Sequence, residues 1–205
     1  MVNNLLTRHR GGGAEGGLVP AVGVMAASSA CGVVSLVPEK RMPRKRRSFE
    51  AGHKPKLLVV VDETEECDRA VYFASRRAAR IGGNVVMLRV MDTQDQSHQW
   101  LGVADIMRAE AHDEADAELS KYAARAKAIA GIAPELVARE GDKVEEILKL
   151  IDEDEDIFIL VLAAGTGTEG PGPLVTTIGR TAGDYPIPLA IVPGHLTDEE
   201  IDALS

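Results

Sequence analysis

From Lys56 onward, short uninterrupted apolar runs alternate with longer segments in which apolar residues return every three or four positions. Leu57-Leu-Val-Val-Val61 is the first run. Glu65 to Ile81 follows, with Ala70, Phe73, Ala74, Ala78 and Ile81 along one stripe, and closes on Gly82-Gly83. A continuous apolar run predicts a strand buried on both faces, and a 3.6-residue period ended by glycine predicts an amphipathic helix. The same alternation then repeats. Val85 to Val90 reads as a strand, about Asp105 to Ala130 as a long helix ended by Gly131 and Pro134, and Glu135 to Arg139 as a short, polar strand suited to a sheet edge. Asp142 to Ile151 reads as a helix, Ile157 to Ala164 as a strand, Pro173 to about Ala182 as a short helix, and Leu189 to Val192 as the last strand. Strand and helix in strict alternation predict an α/β fold, a three-layer, doubly wound, five-stranded parallel sheet with right-handed crossovers. No period of about 20 to 50 residues recurs, which excludes a repeat array.

Composition narrows this picture. With 205 residues, 45% hydrophobic and only 3% aromatic, the chain suffices for one domain whose core is Val, Ile, Leu and Ala. The net charge of −9 is unevenly spread. Residues 1–52 hold 8 Lys/Arg against 3 Asp/Glu, and residues 53–205 hold 15 against 29. An acidic body repels nucleic acid and anionic lipid, so neither is expected as a partner. Residues 1–52 read as a disordered tail, glycine-rich and then basic, with Lys40 to Arg47 as a solvated arm and a working start at Met42. Leu18 to Pro38 is uncharged, but Pro20, Gly23 and Gly32 make it a poor helix, so no membrane span is expected. Residues 53–196 form the expected domain and 197–205 an acidic C-terminal tail. The carboxylate runs 152–156 and 198–202 read as solvated ends.

Reactive side chains are few. Cys31 and Cys67 make no disulfide framework and no metal site, which suits a reducing cytoplasm, and Cys67 reads as a small buried apolar residue at a helix start. His98, His112 and His195 lack ligand spacing, and Trp100 reads as docking the long connection onto the sheet. No nucleophile with an adjacent base stands out, so no catalytic residue is assigned.

The segment with the most chemical content is Gly165-Thr-Gly-Thr-Glu-Gly-Pro-Gly-Pro173, between the Ile157 strand and the Leu174 helix. A glycine-rich turn from a parallel strand into a helix puts backbone N–H groups where α/β sheets bind phosphates. Gly165, Gly167 and Gly170 match G-x-G-x-x-G by letter, yet the loop follows the fourth strand and not the first, and Gly-Pro-Gly-Pro interrupts the helix that should follow at once. A P-loop is excluded, since no Gly-Lys-Ser/Thr is present.

Val60-Val-Asp62 followed by Glu-Thr-Glu-Glu-Cys-Asp-Arg-Ala70, then Met87 to Val90, the glycine loop and Pro186-Ile-Pro188-Leu-Ala-Ile-Val192, resembles the universal stress protein family over about residues 55 to 194. The resemblance implies the strand order 3-2-1-4-5. In ATP-binding members an Asp ending the first strand and a Val ending the second hold ribose and adenine, and a glycine motif holds the phosphates. It therefore implies a cofactor site of Val60, Asp62, Val90, Gly167, Gly170 and Thr176, with ATP as candidate ligand and Gly165 to Thr177 as phosphate loop. The loop departs from the family motif. Gly179 is one residue early and is followed by Arg180, and counting back from Pro188 puts Val175 and Thr176 in the Gly-Ser places. Pro171 and Pro173 have no N–H, and Glu169 adds a negative charge. The implied function is a non-catalytic, cytoplasmic stress-response protein acting by binding protein partners, as a homodimer through Leu189 to Val192. An ATP-binding regulatory module is the alternative. An adenine-nucleotide α-hydrolase-like enzyme is a third reading, against which stands the lack of an SGGxDS loop and of a His-x-Gly-His motif.

Overall fold

The computed structural model describes residues 44–92 and 101–205; Cys31, His98 and Trp100 lie outside the described residues. The elements are β1 (Lys56–Val60), α1 (Cys67–Ile81), β2 (Asn84–Met91), α2 (Leu101–Ala130), β3 (Glu135–Glu140), α3 (Lys143–Glu153), β4 (Ile157–Ala164), α4 (Pro173–Arg180), β5 (Leu189–Pro193) and α5 (Asp198–Leu204). All strand pairs are parallel and the order is β3-β2-β1-β4-β5. This is the expected architecture, with the polar strand at one edge.

Alternation along β1 divides the core. Leu57, Val59 and Val61 face α1 and α2, together with Ala70, Ala74, Leu119 and Tyr122, while Leu58 and Val60 face the other layer with Ile147, Ile151 and Ile178 of α3 and α4. Successive strand residues point to opposite faces, so a five-residue apolar run fills both cores at once. Gly82, at φ 68°, closes α1: its own N–H reaches Ala79 O and that of Gly83 reaches Ala78 O at 2.9 Å. A Cβ on Gly83 would lie 2.3 Å from Pro55 O, so only glycine lets the turn pass.

Helix α1 leaves β1 on one face and α4 leaves the adjacent β4 on the other. The chain is drawn apart at the carboxyl ends of these neighbouring strands, and a crevice opens there.

Three charged segments differ from the sequence reading. Residues 198–202 are not a solvated end: they belong to α5, whose Ile201 is fully buried. Thr197 and Glu200 form a reciprocal capping box, with Glu200 N donating to Thr197 Oγ1 at 3.2 Å and Thr197 N to Glu200 Oε2 at 2.9 Å. Three arginines along α1 grip the segment. Arg69 donates to Leu196 O and Asp198 Oδ1, Arg76 to both oxygens of Asp202, and Arg80 to the carbonyls of Asp202 and Ser205. Nor are Arg46 and Arg47 a free arm, or 152–156 a solvated end. Arg46 donates to the carbonyls of Ile151 and Asp154 at the end of α3, where a cation meets the negative helix terminus. Arg47 pairs with Glu155, His53 with Asp156 and Lys56 with Asp154. Phe49 meets Phe158 edge to face with centroids 5.2 Å apart.

Candidate functional site

The crevice is a cavity of about 640 Å³ at the carboxyl ends of β1, β2 and β4. Val60, Asp62 and Val90 form its floor, with Leu162 and Ala163 of β4. The starts of three helices form the rim: Glu66 and Cys67 of α1, Lys143 and Val144 with the preceding Asp142 for α3, and Pro173 to Val175 with the preceding Gly172 for α4. Ala111 and Glu114 of α2 close one side. An apolar floor ringed by polar groups is the form of a small-molecule site.

Asp62 follows directly on β1 and is held in place locally, its Oδ1 accepting from Thr64 N at 3.0 Å and Thr64 Oγ1 at 2.5 Å. That is an Asx turn, a fold that an Asp two residues before a Thr favours at a strand end. Arg89 reaches the crevice from β2, but its charge is already answered: Nη2 donates to Glu63 at 2.5 Å, and Nε lies 3.4 Å from Glu118. Asp142 accepts from Glu145 N at 3.0 Å and so caps α3. Lys143 makes no ion pair among the described residues. The cavity wall therefore carries six carboxylates (Asp62, Glu63, Glu66, Asp92, Glu114 and Asp142) against two cations, Arg89 and Lys143.

Cys67 is 1% exposed, as the sequence reading expects, and lies 3.9 Å from Val60 O. Burial pushes its thiol up to about 11, so it is protonated at neutral pH.

The glycine loop is turned in on itself. Gly165 N donates to Pro171 O at 3.3 Å and Gly170 N to Gly167 O at 3.2 Å; Thr176 Oγ1 donates to Gly172 O at 2.8 Å. Gly170 and Gly172, at φ 91° and 95°, supply the backbone geometry that closes it. Of the six residues expected as a cofactor site, Val60, Asp62 and Val90 meet in the cavity. Gly167, Gly170 and Thr176 lie outside its lining. On the loop side the cavity meets instead the first turn of α4, whose Leu174 and Val175 N–H groups have no carbonyl within the helix.

Glu66 is a site residue that sequence reasoning missed. It is the N-cap of α1, yet its side chain makes no capping bond. It reaches over the ends of β4 and β5 instead. A Cβ on Gly165 would lie 2.9 Å from Glu66 Oε1, and a Cβ on Gly194 would lie 2.9 Å from Glu66 Cβ and 3.0 Å from Ala164 O. Both glycines are thus the space into which Glu66 fits. The only trace of this in the sequence is a carboxylate in the turn between the first strand and its helix, a common and uninformative feature.

The family model that matches the chain is that of the universal stress protein family, over residues 55–193. No curated protein sequence matches. Among solved structures, the universal stress protein UspA from Lactobacillus plantarum is 22% identical with a TM-score of 0.54, the match covering 67% of this chain and 97% of that one. A universal stress family protein from Burkholderia pseudomallei is 19% identical with a TM-score of 0.52, covering 67% and 95%. A universal stress protein solved in complex with cAMP is 18% identical with a TM-score of 0.50, covering 68% and 97%. These likenesses are of fold.

Proposed function

The chain belongs to the universal stress protein family, and from that premise we propose that it is a non-catalytic stress-response protein that acts by binding, with a crevice that takes the nucleoside part of an adenine nucleotide and disfavours a polyphosphate. The observation that carries this is the composition of the cavity wall, which joins Val60, Asp62 and Val90 to six carboxylates and two cations. A Val floor packs on a purine face, and a carboxylate held by Thr64 accepts from ribose hydroxyls. A triphosphate brings about four negative charges to a wall already in carboxylate excess, and meets a loop whose Gly165 and Gly170 N–H groups are engaged and whose Pro171 and Pro173 have none. The residues thus fit a nucleoside or a singly charged nucleotide and do not fit ATP. A relative in complex with cAMP, which has one phosphodiester charge, is in keeping with this.

A protonated, buried Cys67 on the wall supports binding without covalent chemistry. We extend the proposal to a cytoplasmic homodimer through β5. That edge strand leaves Ile191 46% exposed, and an apolar sheet edge is stabilised by pairing with a second copy. Calorimetric titration of the full chain with adenosine and cAMP tests the crevice: saturable binding that Asp62→Ala reduces at least tenfold is expected. Binding that is indifferent to Asp62→Ala, or no binding up to millimolar ligand, overturns the reading.

A further inference from the structure

Resting on the nucleoside-crevice reading above, we propose that Glu66 is the specificity-determining residue of the crevice, a built-in carboxylate that holds the place where a phosphate attached to the nucleoside would meet the loop. Two helix starts converge on this end of the cavity, those of α1 and α4. Helix N-termini attract anions, and a crevice with two of them beside a glycine turn is in principle a phosphate cradle. At α1 the anion is already supplied by the chain itself. Glu66 sits at that N-terminus with its carboxylate turned away from capping its own helix and toward the loop, its Oε1 within contact of the Gly165 Cα region.

The position is enforced on three sides. Backbone bonds from Cys67 N to Thr64 O at 3.2 Å and from Arg69 N to Glu66 O at 2.8 Å fix the turn that carries the residue. Gly194, tied to Ala164 O at 2.8 Å, leaves room for the Glu66 Cβ where any side chain of its own would collide. Gly165 leaves room for the carboxylate, and its nearest other neighbour is Gly170 O at 3.2 Å from a notional Cβ. The Glu66 carboxylate has no hydrogen bond or ion pair among the described residues, so its charge faces the cavity unneutralised. Two like charges within ~5 Å in a partly buried cleft repel by several times the thermal energy. The other carboxylates of the wall add to the general field, but Asp142 and Glu114 belong to the α2 and α3 side, and Asp62 is turned into its bond with Thr64. Glu66 is the one that abuts the loop.

The test compares adenosine and AMP as probes, by calorimetry at fixed ionic strength, for the full chain and for Glu66→Gln, Glu66→Ala and Glu169→Gln. Glu66→Gln keeps the shape and removes the charge; Glu66→Ala empties the space, so that one variant suffices if the other folds poorly, as thermal unfolding reports. Glu169→Gln removes a loop charge outside the cavity lining and controls for net charge. The expected result is a ratio of AMP to adenosine affinity raised at least tenfold by either Glu66 change and less than twofold by Glu169→Gln. Adenosine binding with AMP improved no more by Glu66→Gln and Glu66→Ala than by Glu169→Gln overturns the assignment while leaving the crevice reading intact. Absence of adenosine binding to the unaltered chain overturns both.

Discussion

Replacing Ile201 by alanine tests the placement of α5 against a control three residues away. Ile201 is fully buried on α1, whereas Leu204 is 65% exposed. Ile201→Ala removes three carbons from a closed environment, about 2.4 kcal/mol at ~0.8 kcal/mol per buried carbon. The cavity left behind adds to this, giving a loss of about 3 kcal/mol. Leu204→Ala removes as many carbons from a largely solvated position and should change stability by less than ~0.5 kcal/mol. In urea unfolding followed by circular dichroism, the midpoint should fall for the first variant at unchanged slope and stay for the second. In thermal unfolding the first should melt about 6 to 12 °C lower, taking ~2–4 °C per kcal/mol for a domain of this size. Two variants equally close to the parent would refute the docking and return residues 198–202 to solvent.

Other expectations follow from the same contacts. Cys67, protonated at neutral pH with its thiol pushed up to about 11, should react with a disulfide reagent at pH 7.5 far more slowly than the unfolded chain does; equal rates folded and unfolded would contradict its burial. Burial acts upward on Asp68, but hydrogen bonds from Arg125 and Arg69 outweigh it and hold the carboxyl below its usual value. A lowered folded pKa stabilises above the unfolded value of about 4 and is lost as pH falls through the folded one. The stability gap between the parent and Asp68→Asn should therefore be constant from pH 7 to 5 and shrink below about pH 4; a gap undiminished at pH 3 would show that the arginine contacts do not hold the carboxyl below its usual value.

How much of this was legible in the sequence differs between fold and site for physical reasons. The five strands rest on runs such as Leu57–Val61 and Ile157–Ala164, where apolar content reports burial in the sheet, whereas their order came from the resemblance to the family. Val60, Asp62 and Val90 meet because the carboxyl ends of the neighbouring parallel strands β1 and β2 lie side by side, which is a consequence of topology. Side-chain partners are another matter. Arg69, Arg76 and Arg80 find α5 across some 120 residues of chain, and Arg46 finds the end of α3 across 105, so Ile201 among carboxylates looks like a solvated end until the arginines are placed. The loop letters of Gly165 to Gly170 suggest available N–H groups, but whether they are available depends on Pro171 O and Gly167 O, which only coordinates show. Glu66 was invisible for the same reason: its role is set by the two glycines that make room for it.

The central claim, a crevice that accepts a nucleoside and resists a polyphosphate by charge, is tested most directly by the affinities of adenosine and ATP for the full chain as ionic strength is varied. The account predicts that adenosine binds more tightly than ATP at low salt, and that the gap narrows as salt screens the repulsion over a Debye length of about 10 Å at 0.1 M. ATP binding more tightly than adenosine at low salt, and weakening as salt is added, would contradict it.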